Sequence, residues 1–262
     1  MDTSIIEFDQ QRVELRVHGQ PSQPTLIYLP GLHGNWTLVA GFRNALGGRV
    51  RFIEATYPPS LTWSLEDYAA GVERALQELG ISRGWLLGES FSSQVVWPIL
   101  ARRKFEVEGL ILAGGFVRHP TRWGVRLAER ICGDISLTLI TRILFGYARV
   151  ARWRFRNSPE TLAGIQEFIS RLNETERQAA KHRLHLIAQN DPSKLARAVH
   201  VPVYALTGFF DPVVPWYWVQ RWLKKNCGSL REYKIISRAD HNVLGTGSVA
   251  AAQHVLRWMR AE

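Results

Sequence analysis

Residues 86–92 read Leu-Leu-Gly-Glu-Ser-Phe-Ser, and the order of structure around them decides the fold. An apolar run at residues 85–87 is typical of a buried strand, and residues 91–103 suit a helix, with a kink expected at Pro98. Ser90 would then lie at the tip of a sharp turn between the strand and the helix. The small residues beside Ser90 have a physical reason, because larger side chains would clash with the strand and helix that such a tight turn brings together.

The composition is that of a folded protein, since 46% of the 262 residues are hydrophobic and 11% are aromatic. The two cysteines, Cys132 and Cys227, cannot form a framework of several disulfides, which fits a reducing compartment. The N-terminal residues show no basic segment followed by an apolar one, and no apolar stretch reaches the length of about 18 residues that a transmembrane helix requires. We therefore expect a cytoplasmic protein without a secretory signal or a membrane span.

Short apolar runs alternate with helical patterns along most of the chain. The runs that predict strands are residues 5–8, 13–17, 25–29, 50–55, 84–87, 107–113, 201–206 and 232–236. The alternation breaks at residues 117–196, where several helical patterns and no convincing strand occur. These features predict an α/β fold in one domain over residues 1–262: a mostly parallel sheet flanked by helices, with an inserted helical cap at about residues 117–196.

Two residues downstream of Ser90 complete a set that can activate a serine hydroxyl, which is a poor nucleophile until a base removes its proton. Asp211 follows one predicted strand, in Gly-Phe-Phe-Asp-Pro, and His241 follows the next, in Ala-Asp-His-Asn. Loops at the carboxyl ends of parallel strands meet at one edge of a sheet, so Ser90, His241 and Asp211 can converge there. Asp240 is a rival acid, but its position next to His241 in sequence does not aim its carboxylate at the imidazole.

With these motifs the chain resembles the α/β-hydrolase fold superfamily of serine hydrolases over nearly its full length. The turn at Ser90 is similar to the nucleophile elbow G-x-S-x-G, with Ser92 in place of the last glycine, and the order serine, acid, histidine is the order in that fold. The resemblance implies Ser90 as nucleophile, His241 as general base and Asp211 as the acid that orients it. It implies a carboxylesterase-like enzyme that cleaves a carboxylic ester or thioester through an acyl-serine, with no metal and no organic cofactor.

The same resemblance implies an oxyanion hole of two backbone N–H groups. Phe91 supplies one, and the loop after residues 25–29 supplies the other. Many family members carry His-Gly-aromatic in that loop, whereas this chain reads Leu-Pro-Gly-Leu-His-Gly at residues 29–34. Alignment on the strand end makes Leu32 the donor, and alignment on the His-Gly pair makes Asn35 the donor. We prefer Leu32, because the strand end followed by Pro-Gly is the better anchor.

Several other residues have two readings. His33 either contacts substrate or is solvated in its loop. The predicted substrate-binding residues are His33, Phe116 and three arginines of the cap, Arg122, Arg126 and Arg130. Glu89 is expected to be a solvated or locally paired residue of the elbow rather than a catalytic acid. His182 and His185 share a helical face but lack a third ligand, so we expect no metal there.

The net charge of +10 is concentrated in the predicted cap. Residues 116–156 hold nine arginines against Glu129 and Asp134, and nine minus two gives a local net charge of +7. Arg122, Arg126 and Arg130 recur every four residues and so form one basic helix face. This face is either simply solvated or binds something anionic: a carrier protein, coenzyme A or an acidic membrane surface. No nucleic acid is expected, because the sequence has no nucleic-acid-binding signature.

Three alternatives to ester hydrolysis stay open at this stage. An acyltransferase would pass the acyl group to an alcohol or thiol instead of water. A C–C hydrolase or lyase would use the same three side chains. A ligand-binding or receptor-like protein would keep the pocket and turn over slowly.

Overall fold

The structure is a computed structural model that describes residues 3–8, 11–134, 159–171 and 173–260. The strands of the described residues are β1 (Thr3–Phe8), β2 (Gln11–His18), β3 (Thr25–Leu29), β4 (Arg51–Thr56), β5 (Arg83–Glu89), β6 (Glu106–Ala113), β7 (Val203–Gly208) and β8 (Leu230–Ile236). The helices are α1 (Ala40–Ala45), α2 (Leu65–Glu78), α3 (Ser92–Arg102), α4 (Arg122–Asp134), α5 (Pro159–Arg171), α6 (Glu174–Gln189), α7 (Ser193–Ala198), α8 (Trp216–Asn226), α9 (Val243–Thr246) and α10 (Ser248–Met259).

One sheet takes up all eight strands, in the order β1-β2-β4-β3-β5-β6-β7-β8. The pairs β1–β2 and β2–β4 are antiparallel, and every neighbouring pair from β4 to β8 is parallel. The carboxyl ends of the six parallel strands therefore meet at one edge, which is where ligands bind in sheets of this kind.

Helices cover both faces of the sheet. On one face Tyr68 of α2, Trp97 of α3 and Leu223 of α8 are completely buried in a single apolar cluster. On the other face Phe42 of α1 and Val255 of α10 are completely buried in a second cluster. Because both faces are covered, the central strands are apolar on both sides, which is why they read in the sequence as continuous apolar runs.

Helix α2 begins where its sequence predicts. The hydroxyl of Ser64 accepts the N–H of Asp67, and the carboxylate of Asp67 accepts the N–H of Ser64 at 2.8 Å, which is the reciprocal capping box. Helix α3 continues past Pro98 to Arg102.

The predicted fold class is confirmed, and each predicted strand is present with its ends shifted by no more than two residues. The short helices α1 and α9 were not predicted. Helices α4 to α7 all lie between β6 and β7, where the cap was predicted. Residues 135–158, which include Arg142, Arg149, Arg152, Arg154 and Arg156, lie outside the described residues. Within the described ranges, no helix has both the length and the hydropathy needed to cross a bilayer.

Candidate active site

Ser90 lies in the turn between β5 and α3, with a backbone φ of 46°. This left-handed conformation costs a non-glycine residue about 1–3 kcal/mol, and the surrounding structure holds it in place. The N–H of Ser90 donates to the carbonyl of Ala113, at the end of the neighbouring strand β6, over 3.0 Å. Gly88 is required by the close approach of the helix, because a Cβ there would lie 2.9 Å from the backbone oxygen of Ser92. The turn thus presents the serine hydroxyl at the carboxyl edge of the sheet.

His241 and Asp211 reach that edge from the loops after β8 and β7. The Nε2 atom of His241 lies 2.8 Å from the hydroxyl of Ser90, and its Nδ1 atom lies 2.8 Å from Oδ2 of Asp211. The carboxylate of Asp211 is completely buried, and its Oδ1 accepts the N–H groups of Val213 and Val214, each at 2.8 Å. Both carboxylate oxygens are therefore engaged, so the carboxylate is held facing the imidazole.

Asp240, the rival acid, forms hydrogen bonds with residues that follow it closely in sequence. Its Oδ1 accepts the backbone N–H of Asn242 and the hydroxyl of Thr246, both at 3.0 Å, so it shapes the turn that carries His241. The structure brings Ser90, His241 and Asp211 into one hydrogen-bonded chain and leaves Asp240 beside it.

The imidazoles near Ser90 titrate differently. Burial by itself lowers the pKa of His241, but the hydrogen bond and the charge of Asp211 outweigh it and leave that pKa raised. His119 is 5% exposed, and burial, followed by the nearby charge of His241, lowers its pKa to about 4. His119 is therefore neutral at pH 7, and its Nδ1 accepts the N–H of Thr121 over 3.2 Å.

The loop after β3, residues 30–34, faces Ser90, and its carbonyls are held by hydrogen bonds. The carbonyl of Pro30 accepts the hydroxyl of Ser92 at 2.5 Å, and that of Gly34 accepts the N–H of Tyr57 at 2.8 Å. The carbonyl of Leu32, between them, accepts Nη1 of Arg183 at 2.8 Å. Among the described residues, the N–H groups of Leu32 and Phe91 have no hydrogen-bond acceptor, so both can donate to a ligand.

A cavity of 480 Å³ opens above Ser90. Its walls are mainly apolar, and Glu89 is the one Asp, Glu, Lys or Arg among the described residues that line it. The lining residues are Gly31, Leu32, His33, Leu38, Glu89, Ser90, Phe116, His119, Thr121, Gly124, Val125, Ala128, Leu184, Ile187, Pro212, Val213, His241 and Asn242. His33, Phe116 and Leu32 line the cavity, and Asn35 is not among its described lining residues, which favours Leu32 as the donor from this loop.

Glu89 differs from its expected role. It is only 4% exposed, and its Oε2 accepts the phenol of Tyr28 at 2.5 Å. Its partner is on β3 and distant in sequence, so Glu89 is neither solvated nor locally paired. Burial and then the charge of Glu89 raise the pKa of Tyr28, so the phenol stays protonated and keeps donating.

Arg122, Arg126 and Arg130 of α4 are not among the described residues that line this cavity. Arg126 and Arg130 are exposed, but Arg122 is engaged within the molecule: its Nη2 donates to the carbonyl of Asn190 at 2.8 Å and lies 3.9 Å from Asp191. Arg122 therefore contributes less to a free basic face than its spacing suggests. His182 and His185 are also engaged, with the carbonyl of Trp63 and with Glu129. Within the described ranges, no group of three or more His, Cys, Asp or Glu could hold a metal ion.

Three features of the site escaped sequence reasoning. These are the hydrogen bond between Ser92 and Pro30, the buried phenol of Tyr28, and the buried guanidinium of Arg183. The replacement of the last elbow glycine by Ser92 was the one visible signal, and the sequence alone does not indicate that its hydroxyl donates a hydrogen bond to Pro30.

No protein-family model matches the sequence, and no curated protein matches it. Solved structures do match it along almost the whole chain. A bromoperoxidase from Bacillus anthracis has a TM-score of 0.81 at 12% identity, over 99% of this chain and 100% of that one. An enol-lactonase from Burkholderia xenovorans has a TM-score of 0.79 at 16% identity, over 98% and 100%. An esterase from Exiguobacterium antarcticum has a TM-score of 0.78 at 14% identity, over 99% and 100%.

Sequence identities this low show the shared fold and leave the activity to be argued from the site. The chain has the α/β-hydrolase fold.

Proposed function

We propose that this protein is a serine hydrolase that cleaves a carboxylic ester or thioester through an acyl-serine intermediate. One observation carries the proposal: the hydrogen-bonded chain from Ser90 through His241 to Asp211, with both links at 2.8 Å, at the base of a cavity. An esterase and an enol-lactonase among the similar structures support the same class of reaction.

Each group has one task in the proposed reaction. His241 accepts the proton of the Ser90 hydroxyl at Nε2 while the oxygen attacks the substrate carbonyl. Asp211 fixes the tautomer with the proton on Nδ1 and stabilises the imidazolium that forms. The N–H groups of Leu32 and Phe91 donate to the developing oxyanion. His241 then gives its proton to the leaving alcohol or thiol, and afterwards activates the water that releases the acid from Ser90.

The walls of the cavity support a neutral, apolar acyl group. Phe116, Val125, Leu184 and Ile187 supply apolar surface, and no Lys or Arg is present among the described lining residues. A carboxylate or phosphate inside this cavity would lose its hydration next to Glu89 without gaining a counter-charge. We therefore propose that the substrate is an uncharged ester or thioester at the end that enters the cavity.

The nucleophile is tested with a fluorophosphonate probe. We expect the wild-type protein to be labelled and Ser90→Ala not to be, while Ser170→Ala, a change at an exposed serine of α5, is labelled like the wild type. Labelling of the Ser90→Ala protein at another residue would overturn the assignment.

The substrate class is tested with p-nitrophenyl esters of increasing acyl length. Each methylene that enters an apolar cavity contributes about 0.8 kcal/mol, so kcat/KM should rise roughly fourfold per carbon until the cavity is full. A matched series of esters whose acyl chains end in a carboxylate should be hydrolysed much more slowly. Equal rates for the neutral and the charged series would contradict the proposed substrate class.

A further inference from the structure

Arg183 of α6 is completely buried next to the loop at residues 30–34. Its Nη1 donates to the carbonyl of Leu32 at 2.8 Å, its Nη2 to the carbonyl of Pro58 at 3.1 Å, and its Nε lies 3.4 Å from the hydroxyl of Tyr68. All three acceptors are neutral. Removing a cation from water is costly, and the carboxylate of Glu176 offsets part of that cost by its electrostatic interaction with Arg183. The hydrogen bonds to the neutral acceptors fix where the guanidinium lies.

The loop is built to admit this guanidinium. Gly34 has a φ of +74°, and a Cβ on it would lie 2.6 Å from both Nη1 and Nη2 of Arg183. Glycine is therefore required at position 34 for its backbone conformation and for the space that it leaves. The loop thus leaves space for the guanidinium, and the guanidinium in turn binds the loop.

The contact fixes the peptide group that follows the Leu32 N–H. The carbonyls of Pro30 and Gly34 are held by groups on the sheet side of the molecule, Ser92 and Tyr57, whereas the carbonyl of Leu32 is held by α6. The carbonyl of Gly31, which shares a peptide plane with the N–H of Leu32, accepts the N–H of Gly34 at 3.0 Å. With these four carbonyls bound, the loop has little freedom to rotate its peptide planes. The N–H of Leu32 then keeps one direction.

Helix α6 also forms a wall of the cavity. Leu184 and Ile187, from the same helix as Arg183, line the space above Ser90. One helix therefore carries both part of the substrate pocket and the donor that holds the loop.

We propose that Arg183 is a positioning residue for the oxyanion hole: it holds the loop at residues 30–34 so that the N–H of Leu32 meets the oxyanion formed at Ser90. The inference rests on the proposed function. Arg183 acts through Leu32 and does not itself touch the reacting atoms.

The test compares Arg183→Met and Arg183→Lys with the wild type on a neutral p-nitrophenyl ester. Removing an oxyanion donor outright costs about 10²–10³ in kcat, and loosening one should cost part of that, about 10- to 100-fold for Arg183→Met, with KM changed less than about threefold. The loss should fall on kcat because the oxyanion exists only in the transition state and the intermediate. Arg183→Lys keeps the charge, but a single ammonium cannot reproduce the planar fork that spans two carbonyls, so kcat should fall there too.

Two controls separate positioning from general damage. Arg197→Ala, at an exposed arginine of α7, should keep the wild-type kcat. In the Arg183 variants the acid side of the kcat/KM–pH profile should keep its midpoint, because His241 and Asp211 are unchanged. Far-UV circular dichroism and a thermal melt identify the variants that are folded at the assay temperature, and if Arg183→Met does not fold, Arg183→Lys carries the test.

A folded variant with wild-type kcat, a loss carried by KM alone, or a shifted acid-side midpoint would each overturn the inference. If the wild type itself hydrolyses no ester and reacts with no fluorophosphonate, the proposed function fails before any variant is compared. The two failures are therefore distinguishable.

Discussion

Replacing Ser92 by glycine would give the turn at Ser90 the full G-x-S-x-G pattern, yet we expect this variant to be less stable and less active. Ser92 is completely buried. Its hydroxyl donates to the carbonyl of Pro30 at 2.5 Å and lies 2.7 Å from the hydroxyl of Tyr57. The serine therefore joins the turn at Ser90 to the loop at residues 30–34, and glycine would break that connection.

The magnitude follows from two losses. Leaving the buried carbonyl of Pro30 without a donor costs about 1–3 kcal/mol. Glycine at the first residue of α3 costs up to about 1 kcal/mol through backbone entropy. The free energy of unfolding of Ser92→Gly should therefore fall by about 1–4 kcal/mol, compared with the 5–15 kcal/mol typical of a domain.

Urea denaturation of the wild type, Ser92→Gly and Ser92→Ala separates the two losses. Alanine removes the hydroxyl and keeps the helix-forming backbone, so the two variants should differ by about 1 kcal/mol. Both should also lose kcat, by about tenfold, with KM nearly unchanged, because the loop that carries Leu32 is less constrained. A Ser92→Gly protein with wild-type stability and wild-type kcat would refute the role given to this hydroxyl.

Two further predictions concern pH. His241 must be neutral to accept a proton, and its pKa is raised. We therefore expect kcat/KM to fall on the acid side with a midpoint above the usual pKa of histidine, about 6.5. A midpoint at or below that value would contradict the predicted coupling to Asp211. The pKa of His119 in the folded protein is lowered to about 4, so this side chain takes up its proton in the unfolded chain first as the pH falls. The free energy of unfolding should therefore drop by up to about 3 kcal/mol between about pH 6.5 and pH 4. Urea denaturation across that range should show a shallower drop for His119→Asn, and equal slopes would mean that His119 does not remain neutral in the folded protein.

Much of the fold was predictable because its strands are short, apolar and bounded by turn residues. The strand at Thr25–Leu29 was predicted to the residue, since burial on both faces of a sheet leaves a strong local pattern. Helices α1 and α9 have six and four residues, too few for a helical period to be recognisable.

The members of the candidate triad could be found for a similar reason. Each of Ser90, Asp211 and His241 lies within five residues of the end of a strand, and the topology of a parallel sheet gathers such positions at one edge. Arg183 could not be found in this way. It lies in the polar sequence Lys-His-Arg-Leu-His, which reads as a solvated helix face, and its acceptor Leu32 is 151 residues away along the chain. Neither the burial of a cation nor a long-range acceptor leaves a periodic signal.

The direct pairing of β6 with β7 bears on how the chain can be altered. Leu110 pairs with Val203, so the segment that holds α4 to α7 leaves the sheet and returns to the adjacent strand position. Closing such an excursion costs chain entropy that grows only slowly with length, about 0.6 kcal/mol for each doubling, so the sheet should tolerate chimeras in which this segment is exchanged for a longer or shorter one. The loop at residues 30–34 nevertheless depends on this segment for one hydrogen bond, from the guanidinium of Arg183 to the carbonyl of Leu32. A transplanted segment that folds well but brings no donor to that carbonyl would give a stable protein with a poorly formed oxyanion hole.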